Sequence, residues 1–289
     1  MDTAAHYQYG LQTSRGEPSV IRLLTGDCET ELAGLADESV ALVVTSPPYA
    51  DARKNIYGGV HPDKYVAWFL PKAEQLRRVL RPDGTFILNV KEKVVDGERH
   101  TYVLELIKAM RAHDWRWTEQ WIWHKRTSMP GKWPNRFRDA WEHCLQFNKR
   151  RDFRMNQDAV MVPIGDWAVT RMANLSDEDK RRRPSDTESG FARKVANWKN
   201  RDMVYPTNVL HLATECGNKK HSAAFPLALP EFFIKLFTQE GDTVLDPFCG
   251  SGTTGVAAVQ LGRDFVGIDT MAKHIAIARE YIAKVSPPA

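Results

Sequence analysis

Two stretches of the chain combine residue types at spacings that could do chemistry. The first is Ser46-Pro47-Pro48-Tyr49, set directly after the apolar run Val40–Thr45. Two prolines extend neither a strand nor a helix, and they remove two backbone N–H groups. The corner therefore offers the Ser46 hydroxyl and several carbonyls as acceptors but few donors, so its natural guest is a hydrogen-bond donor. An exocyclic amino group on a nucleobase brings two N–H bonds. Accepting both tilts the nitrogen out of conjugation and frees its lone pair for attack. Tyr49 adds a flat face on which a base could stack, worth about 1–3 kcal/mol. A Pro-Pro pair by itself is an ordinary rigid turn. The tetrapeptide after an apolar strand, in one chain with the second stretch, points instead to a base pocket.

The second stretch, "TVLDPFCGSGTTGVAA" from Thr243, runs strand, acidic residue, glycine-rich turn, helix. That is the layout of a nucleotide-type cofactor site at the carboxyl end of a strand. Gly250, Gly252 and Gly255 satisfy G-x-G-x-x-G, a pattern that also serves a plain tight strand-to-helix turn. A phosphate-cradling loop would need Lys-Ser or Lys-Thr after the final glycine, where this chain has Val256-Ala257. A dinucleotide is a closer competitor, since Asp269 ends the next apolar run at the separation a ribose-binding carboxylate requires. S-adenosylmethionine (AdoMet) has two free ribose hydroxyls for Asp269 and a cationic amino-acid end for a second carboxylate such as Asp246. Asp246-Pro247-Phe248 beside the glycines favours AdoMet over NAD.

With both stretches in view, the chain resembles the DNA amino-methyltransferases, which modify cytosine N4 or adenine N6 with AdoMet. Thr45-Ser46-Pro47-Pro48-Tyr49 is similar to the family's catalytic motif, which implies catalytic roles for Ser46, Pro47, Pro48 and Tyr49. The segment Asp246–Thr254 is similar to its AdoMet loop and implicates Asp246, Phe248, Gly250, Ser251, Gly252 and Thr253, with Asp269 beyond it. "LLTGDC" (23–28) resembles the segment that meets the adenine and makes Asp27 a candidate. "HSAAFP" (221–226) resembles the cofactor-closing segment and implicates Phe225 and Pro226. "RFRDAWEHCLQFNK" (136–149) is similar to a late motif near the target base. Catalytic motif first and cofactor loop last is the order of the β class, a circular permutation. The resemblance implies an α/β, Rossmann-like methyltransferase sheet, permuted, with an inserted target-recognition region.

It also implies direct methyl transfer to a flipped base in double-stranded DNA, since a duplex buries its amino groups. The Ser46 hydroxyl and the Pro47 carbonyl would accept the amino hydrogens while Tyr49 stacks on the ring, and no strong base is required. C5-cytosine chemistry needs an activated cysteine, and none of Cys28, Cys144, Cys216 and Cys249 lies in a Pro-Cys pair. Ser rather than Asp at position 46 is more typical of the N4-cytosine enzymes, so cytosine is expected, with adenine as the alternative. An NAD-dependent oxidoreductase leaves Ser-Pro-Pro-Tyr unexplained. A non-catalytic nucleic-acid-binding protein leaves the glycine loop idle.

These residues need a scaffold, and short apolar runs alternating with amphipathic stretches predict a mostly parallel sheet covered by helices. Strands are expected at 21–25, 40–45, 85–90, 117–123, 144–147, 243–246 and 264–269, and helices at 63–80, 102–112, 229–238, 252–261 and 271–284. "RPDG" (81–84) reads as a turn between helix and strand. Trp115, Trp117, Trp121 and Trp123 share one parity and are expected on one face of a strand. Periodicity fades over residues 150–208, where charge rises and aromatics interleave. That divides the chain into 1–149, the catalytic half, 150–208, the target-recognition insertion, and 209–289, the AdoMet half. Arg181, Arg182, Arg183, Lys199 and Arg201 of the insertion are expected on DNA. So are Lys125, Arg126, Lys132 and Arg136 of a basic, turn-rich loop and Arg53 after the corner.

The 289 residues, 43% hydrophobic, suffice for a full core, and a net charge of +4 with a pI near 8.8 leans only slightly towards a polyanionic partner. The four cysteines are far apart, which suggests neither a metal site nor a disulfide framework. No apolar run approaches the roughly 18 residues of a membrane span, and no secretory signal is apparent. A cytoplasmic monomer or homodimer is expected, with a cognate restriction endonuclease as partner.

Overall fold

The structure, a computed structural model, describes residues 6–11, 18–51, 59–127, 133–166, 170, 173–174, 202–214 and 225–285. Strands, in chain order, are β1 (Tyr7–Leu11), β2 (Ser19–Thr25), β3 (Val40–Thr45), β4 (Leu80–Val90), β5 (Val94–Val95), β6 (Glu98–Arg99), β7 (Arg116–Lys125), β8 (Trp141–Asn148), β9 (Val162–Pro163), β10 (Met203–Val204), β11 (Val209–Leu212), β12 (Thr243–Asp246) and β13 (Asp264–Asp269). Helices are α1 (Cys28–Ala33), α2 (Pro62–Val79), α3 (Tyr102–Ala112), α4 (Ala228–Phe237), α5 (Thr253–Gln260) and α6 (Ala272–Ala283). The chain divides into two compact units, 1–156 with 208–289, and 157–207. In the smaller one β9 pairs antiparallel with β10, and Tyr205 donates to Asp158 at 2.9 Å.

The larger unit is built on a nine-stranded sheet in the order β1-β2-β13-β12-β3-β4-β8-β7-β11. Neighbours from β2 to β4 run parallel, whereas β8 is antiparallel to both β4 and β7. The last two strands in sequence thus lie between β2 and β3, which is the permuted α/β arrangement. The strand order turns back between β12 and β3, so crevices for ligands open at their carboxyl ends. Val40–Thr45 is buried throughout, as a central parallel strand covered on both faces must be.

Helices cover the two faces. Tyr65, Phe69 and Leu76 of α2 and Tyr102, Leu106 and Met110 of α3 pack with Val43, Phe86, Phe147, Val266 and Ile268 in one core. Phe265, of opposite parity, faces α5 and α6 on the other side: a Cβ on Gly255 would stand 2.6 Å from its ring and 2.5 Å from Ile282. Gly255 is therefore the residue that lets α5 lie close to the sheet. Among the described residues no helix is long and apolar enough to cross a membrane.

Two local expectations are corrected. Residues 81–84 form no free turn: Val40 pairs with Leu80 and Leu42 with Thr85, so "RPDG" is a bulge inside the β3–β4 ladder. The tryptophans do not share a face either. The register shifts between Trp117 and Glu119, and such a slip reverses which side a residue faces. Trp115 packs with Phe86 and Phe147, Trp121 meets Phe232 and Phe233, and Trp117 is 40% exposed.

One buried carboxylate ties the central strands together. Asp246, at the end of β12 and 2% exposed, accepts from the Thr45 hydroxyl of β3 at 2.6 Å, from the Thr254 hydroxyl of α5 at 2.6 Å and from the Phe248 N–H at 3.1 Å. Burial raises its carboxyl to about 6, against the pull of those hydrogen bonds. Between about pH 4 and 6 the folded chain then keeps a proton that the unfolded chain has lost. Stability from this group is full below pH 4 and is lost as pH rises through 6. Asp246→Asn removes the titration, so in denaturant melts it should gain on the wild type from pH 4 to 7 by on the order of 3 kcal/mol. A difference independent of pH would show an ordinary carboxyl. Gly255→Ala should lower the urea midpoint by an equivalent of about 1–3 kcal/mol through overpacking.

Candidate active site

The corner leaves β3 at its carboxyl end and turns under α2. Tyr65, fully buried in that helix, donates to the Pro48 carbonyl at 3.0 Å, which spends one of the corner's acceptors inside the protein. Ser46 is half-buried, and its Oγ donates to the Tyr49 hydroxyl at 3.2 Å. Tyr49 Oη in turn donates to Glu142 Oε2 at 2.6 Å, with Asn89 Oδ1 at 3.1 Å. Burial first, and the Glu142 charge second, push the Tyr49 phenol well above its ordinary range. Tyr49 is thus held at its hydroxyl end, which fixes the direction of the side chain.

Asn89 was not singled out from the sequence, and Glu142 only as part of the segment 136–149 that resembles a motif near the target base. Glu142 is buried at the start of β8, and its other oxygen pairs with Lys125 Nζ of β7. Asn89 is oriented by its Nδ2 donating to the His143 carbonyl at 3.0 Å, and His143 pairs with Glu92. The visible signal was polar residues inside an otherwise apolar strand, "WEHCLQFN", which only tertiary contacts make meaningful.

The glycine loop follows β12, the neighbour of β3. Gly250 (φ +50°) and Gly252 (φ +86°) adopt the left-handed region that other residues avoid. Gly252 is the N-cap of α5 and contributes no side-chain cap, so the first-turn N–H groups keep the electropositive end that an anion requires. Ser251 is buried and Thr253 half-buried. Asp269, 9% exposed at the end of β13, accepts from the Gly250 N–H at 3.0 Å, the Met271 N–H at 2.8 Å and the His274 ring at 3.1 Å. Three donors leave lone-pair capacity for one more. The Gly26 N–H donates to the Asp269 carbonyl at 3.1 Å, which brings Asp27, exposed as the N-cap of α1, beside it. Phe248 lies 5.9 Å from Trp68 of α2, centroid to centroid, and Phe225 and Pro226 are buried just before α4.

The structure thus groups Asp27, Phe248, Gly250, Gly252 and Asp269 at the carboxyl ends of β2, β13 and β12. Asp246, expected against a ligand's ammonium, turns its carboxylate inward to Thr45, Thr254 and the Phe248 N–H and is 2% exposed. Lys125 is likewise not a free cation for DNA, since it pairs with Glu142 and lies 5.0 Å over the Trp123 ring. Arg126 is exposed, and Arg136 stacks 4.5 Å over Trp133 with Asp139 at 3.7 Å. Arg53, Lys132, Arg181, Arg182, Arg183, Lys199 and Arg201 lie outside the described residues. Cys249, buried in the loop, has its thiol raised well above the ordinary value by burial and by Asp246 and Asp269, which disfavours a nucleophilic thiolate. Among the described residues no cluster of His, Cys, Asp or Glu could hold a metal ion.

Comparison with known proteins fits this geometry. A type II methyltransferase, M.PvuII of Proteus hauseri, is 31% identical over 273 residues, covering 87% of this chain and 80% of that one. The solved structure of PvuII DNA methyltransferase, described as cytosine-N4-specific, superposes with a TM-score of 0.69 at 24% identity over 92% of this chain and 88% of its own. That of M1.HpyAVI in complex with AdoMet superposes at 0.56 and 19% identity, covering 91% and 98%. The family model described as DNA methylase, for the N6 and N4 enzymes, matches residues 40–280. With the corner and the glycine loop side by side at the carboxyl ends of β3 and β12, the chain belongs to the DNA methylase family.

Proposed function

We propose that this enzyme transfers a methyl group from AdoMet to the N4 amino group of a cytosine flipped out of double-stranded DNA. The observation that carries this is the hydrogen bond from Thr45 to Asp246, which sets an amino-accepting corner and a nucleotide-type loop on neighbouring strands. Ser46 at the head of the corner, and the cytosine-N4-specific relative, support cytosine over adenine.

The residues present fit AdoMet. The uncapped first turn of α5, reached through Gly250, Ser251, Gly252 and Thr253, suits its carboxylate. Asp269 has capacity for a ribose hydroxyl, Asp27 stands beside it, and Phe225, Pro226 and Phe248 supply apolar surface. When bound, AdoMet supplies an electrophilic methyl group. Ser46 and the Pro47 carbonyl accept the amino hydrogens and turn the nitrogen lone pair out of the ring plane. Tyr49, anchored by its hydroxyl, keeps the base in place by stacking. Orientation and hydrogen bonds that strengthen as charge develops provide the catalysis.

Arg126 and Arg136, with Arg53, Lys132, Arg181, Arg182, Arg183, Lys199 and Arg201, are assigned to DNA phosphates, and residues 150–208 to reading its sequence. A restriction endonuclease of the same specificity is the expected partner. Plasmid DNA methylated by the enzyme should contain N4-methylcytosine when hydrolysed and separated, and N6-methyladenine alone would overturn the base assignment. Ser46→Ala with Tyr49→Ala should lower transfer by at least about 10²-fold while AdoMet binding is retained. Retained activity would refute the pocket.

A further inference from the structure

Glu142 is a buried carboxylate that touches the corner through Tyr49. Ser46 Oγ donates to Tyr49 Oη at 3.2 Å, and Tyr49 Oη donates to Glu142 Oε2 at 2.6 Å. The two hydrogen bonds form an unbroken chain from the Ser46 hydroxyl to the Glu142 carboxylate, which is its final acceptor. Lys125 holds the far oxygen of Glu142 and balances its charge. We propose that Glu142 takes up the proton released by the amino nitrogen during methylation, relayed through Ser46 and Tyr49. This rests on the reading of the corner as the methyl-transfer site.

The balance is simple. A nitrogen that gains a methyl gains one positive charge, and it discharges this by breaking one N–H bond and keeping the electron pair. As the N–C bond forms, that proton joins Ser46 Oγ, Ser46 gives its own to Tyr49 Oη, and Tyr49 gives its own to Glu142 Oε2. The products are a neutral methylamino base and a neutral carboxyl group. Tyr49 never ionises in this scheme, in keeping with a phenol pushed above its ordinary range. Asn89 Oδ1, the other acceptor near Tyr49, is an amide oxygen and cannot keep a proton. It competes for the single phenolic hydrogen, which the shorter contact gives to Glu142.

Glu142 is by this account a positioning and proton-accepting residue that acts through Tyr49 and does not touch substrate. Tyr49→Phe removes one oxygen and keeps the stacking ring, so it tests the relay in a folded enzyme. Glu142→Gln is made together with Lys125→Met, which leaves no buried charge without a partner. Single-turnover methylation of a DNA duplex would be followed in H2O and in D2O, with AdoMet and DNA binding measured separately. Both variants should react about 10²-fold more slowly with binding unchanged. The wild type should slow in D2O, and Tyr49→Phe should lose that sensitivity. Combining the changes should cost no more than the slower of the two, as expected for links of one chain. The relay is overturned if Tyr49→Phe reacts at the wild-type rate, keeps the D2O sensitivity, or multiplies its loss with that of the Glu142 variant. A dead Ser46→Ala, Tyr49→Ala enzyme beside a fully active Tyr49→Phe enzyme would sink the relay alone. Activity in both would sink the pocket itself.

Discussion

The hydrogen bond from the Thr45 hydroxyl to Asp246 is the constraint on which the site hangs. Thr45 immediately precedes Ser46, and Asp246 stands four residues before Gly250, so a 2.6 Å contact sets the spacing between the corner and the glycine loop. The carboxylate's second oxygen binds Thr254 in the first turn of α5, which gives the helix its position as well. A buried carboxyl missing one of these donors costs about 1–3 kcal/mol. The protein thus spends an acidic residue on architecture at the place where a ligand-facing role was expected.

The reversed strand β8 matters in a second way. Every other strand near the site delivers its last residues to the ligand edge, but β8, antiparallel to β4, delivers its first. His143 pairs with Val90 and Cys144 with Asn89, so Glu142 arrives beside the corner although it lies at the beginning of its strand. Its neighbour Lys125 comes from the end of β7, and the two meet because β7 and β8 run in opposite directions.

Much of this was legible beforehand. Strands 40–45, 243–246 and 264–269 and helix 102–112 have the expected bounds, because central parallel strands are short unbroken apolar runs and the helix has a clear amphipathic period. The edge strand Tyr7–Leu11, the six-residue α1 and the four-residue β11 carry too few residues for a period to emerge. The tryptophan parity failed at one bulge that leaves no mark in composition. In the candidate site, the corner and the loop stand out in the sequence as motifs, but the orientation of their side chains does not. Asp246 reads as a ligand carboxylate and Lys125 as a DNA cation until the partners on distant strands are known. The segment 136–149 was marked, but Glu142 within it was not distinguished for the same reason, since strand direction is a property of the fold.

The placement of β12 and β13 between β2 and β3 has a consequence for how the molecule assembles. Thr45 and Asp246 are 201 residues apart, and the middle of the sheet is filled by chain that leaves the ribosome late. The ladders of β3, β4, β8 and β7 can zip up among themselves, whereas β2 stays parted from β3 until the C-terminal strands slot in. Such long-range parallel pairing is the slow part of folding. The seam that closes last is the one that brings corner and loop together, so a nascent or truncated chain lacking it holds the corner with no glycine loop beside it.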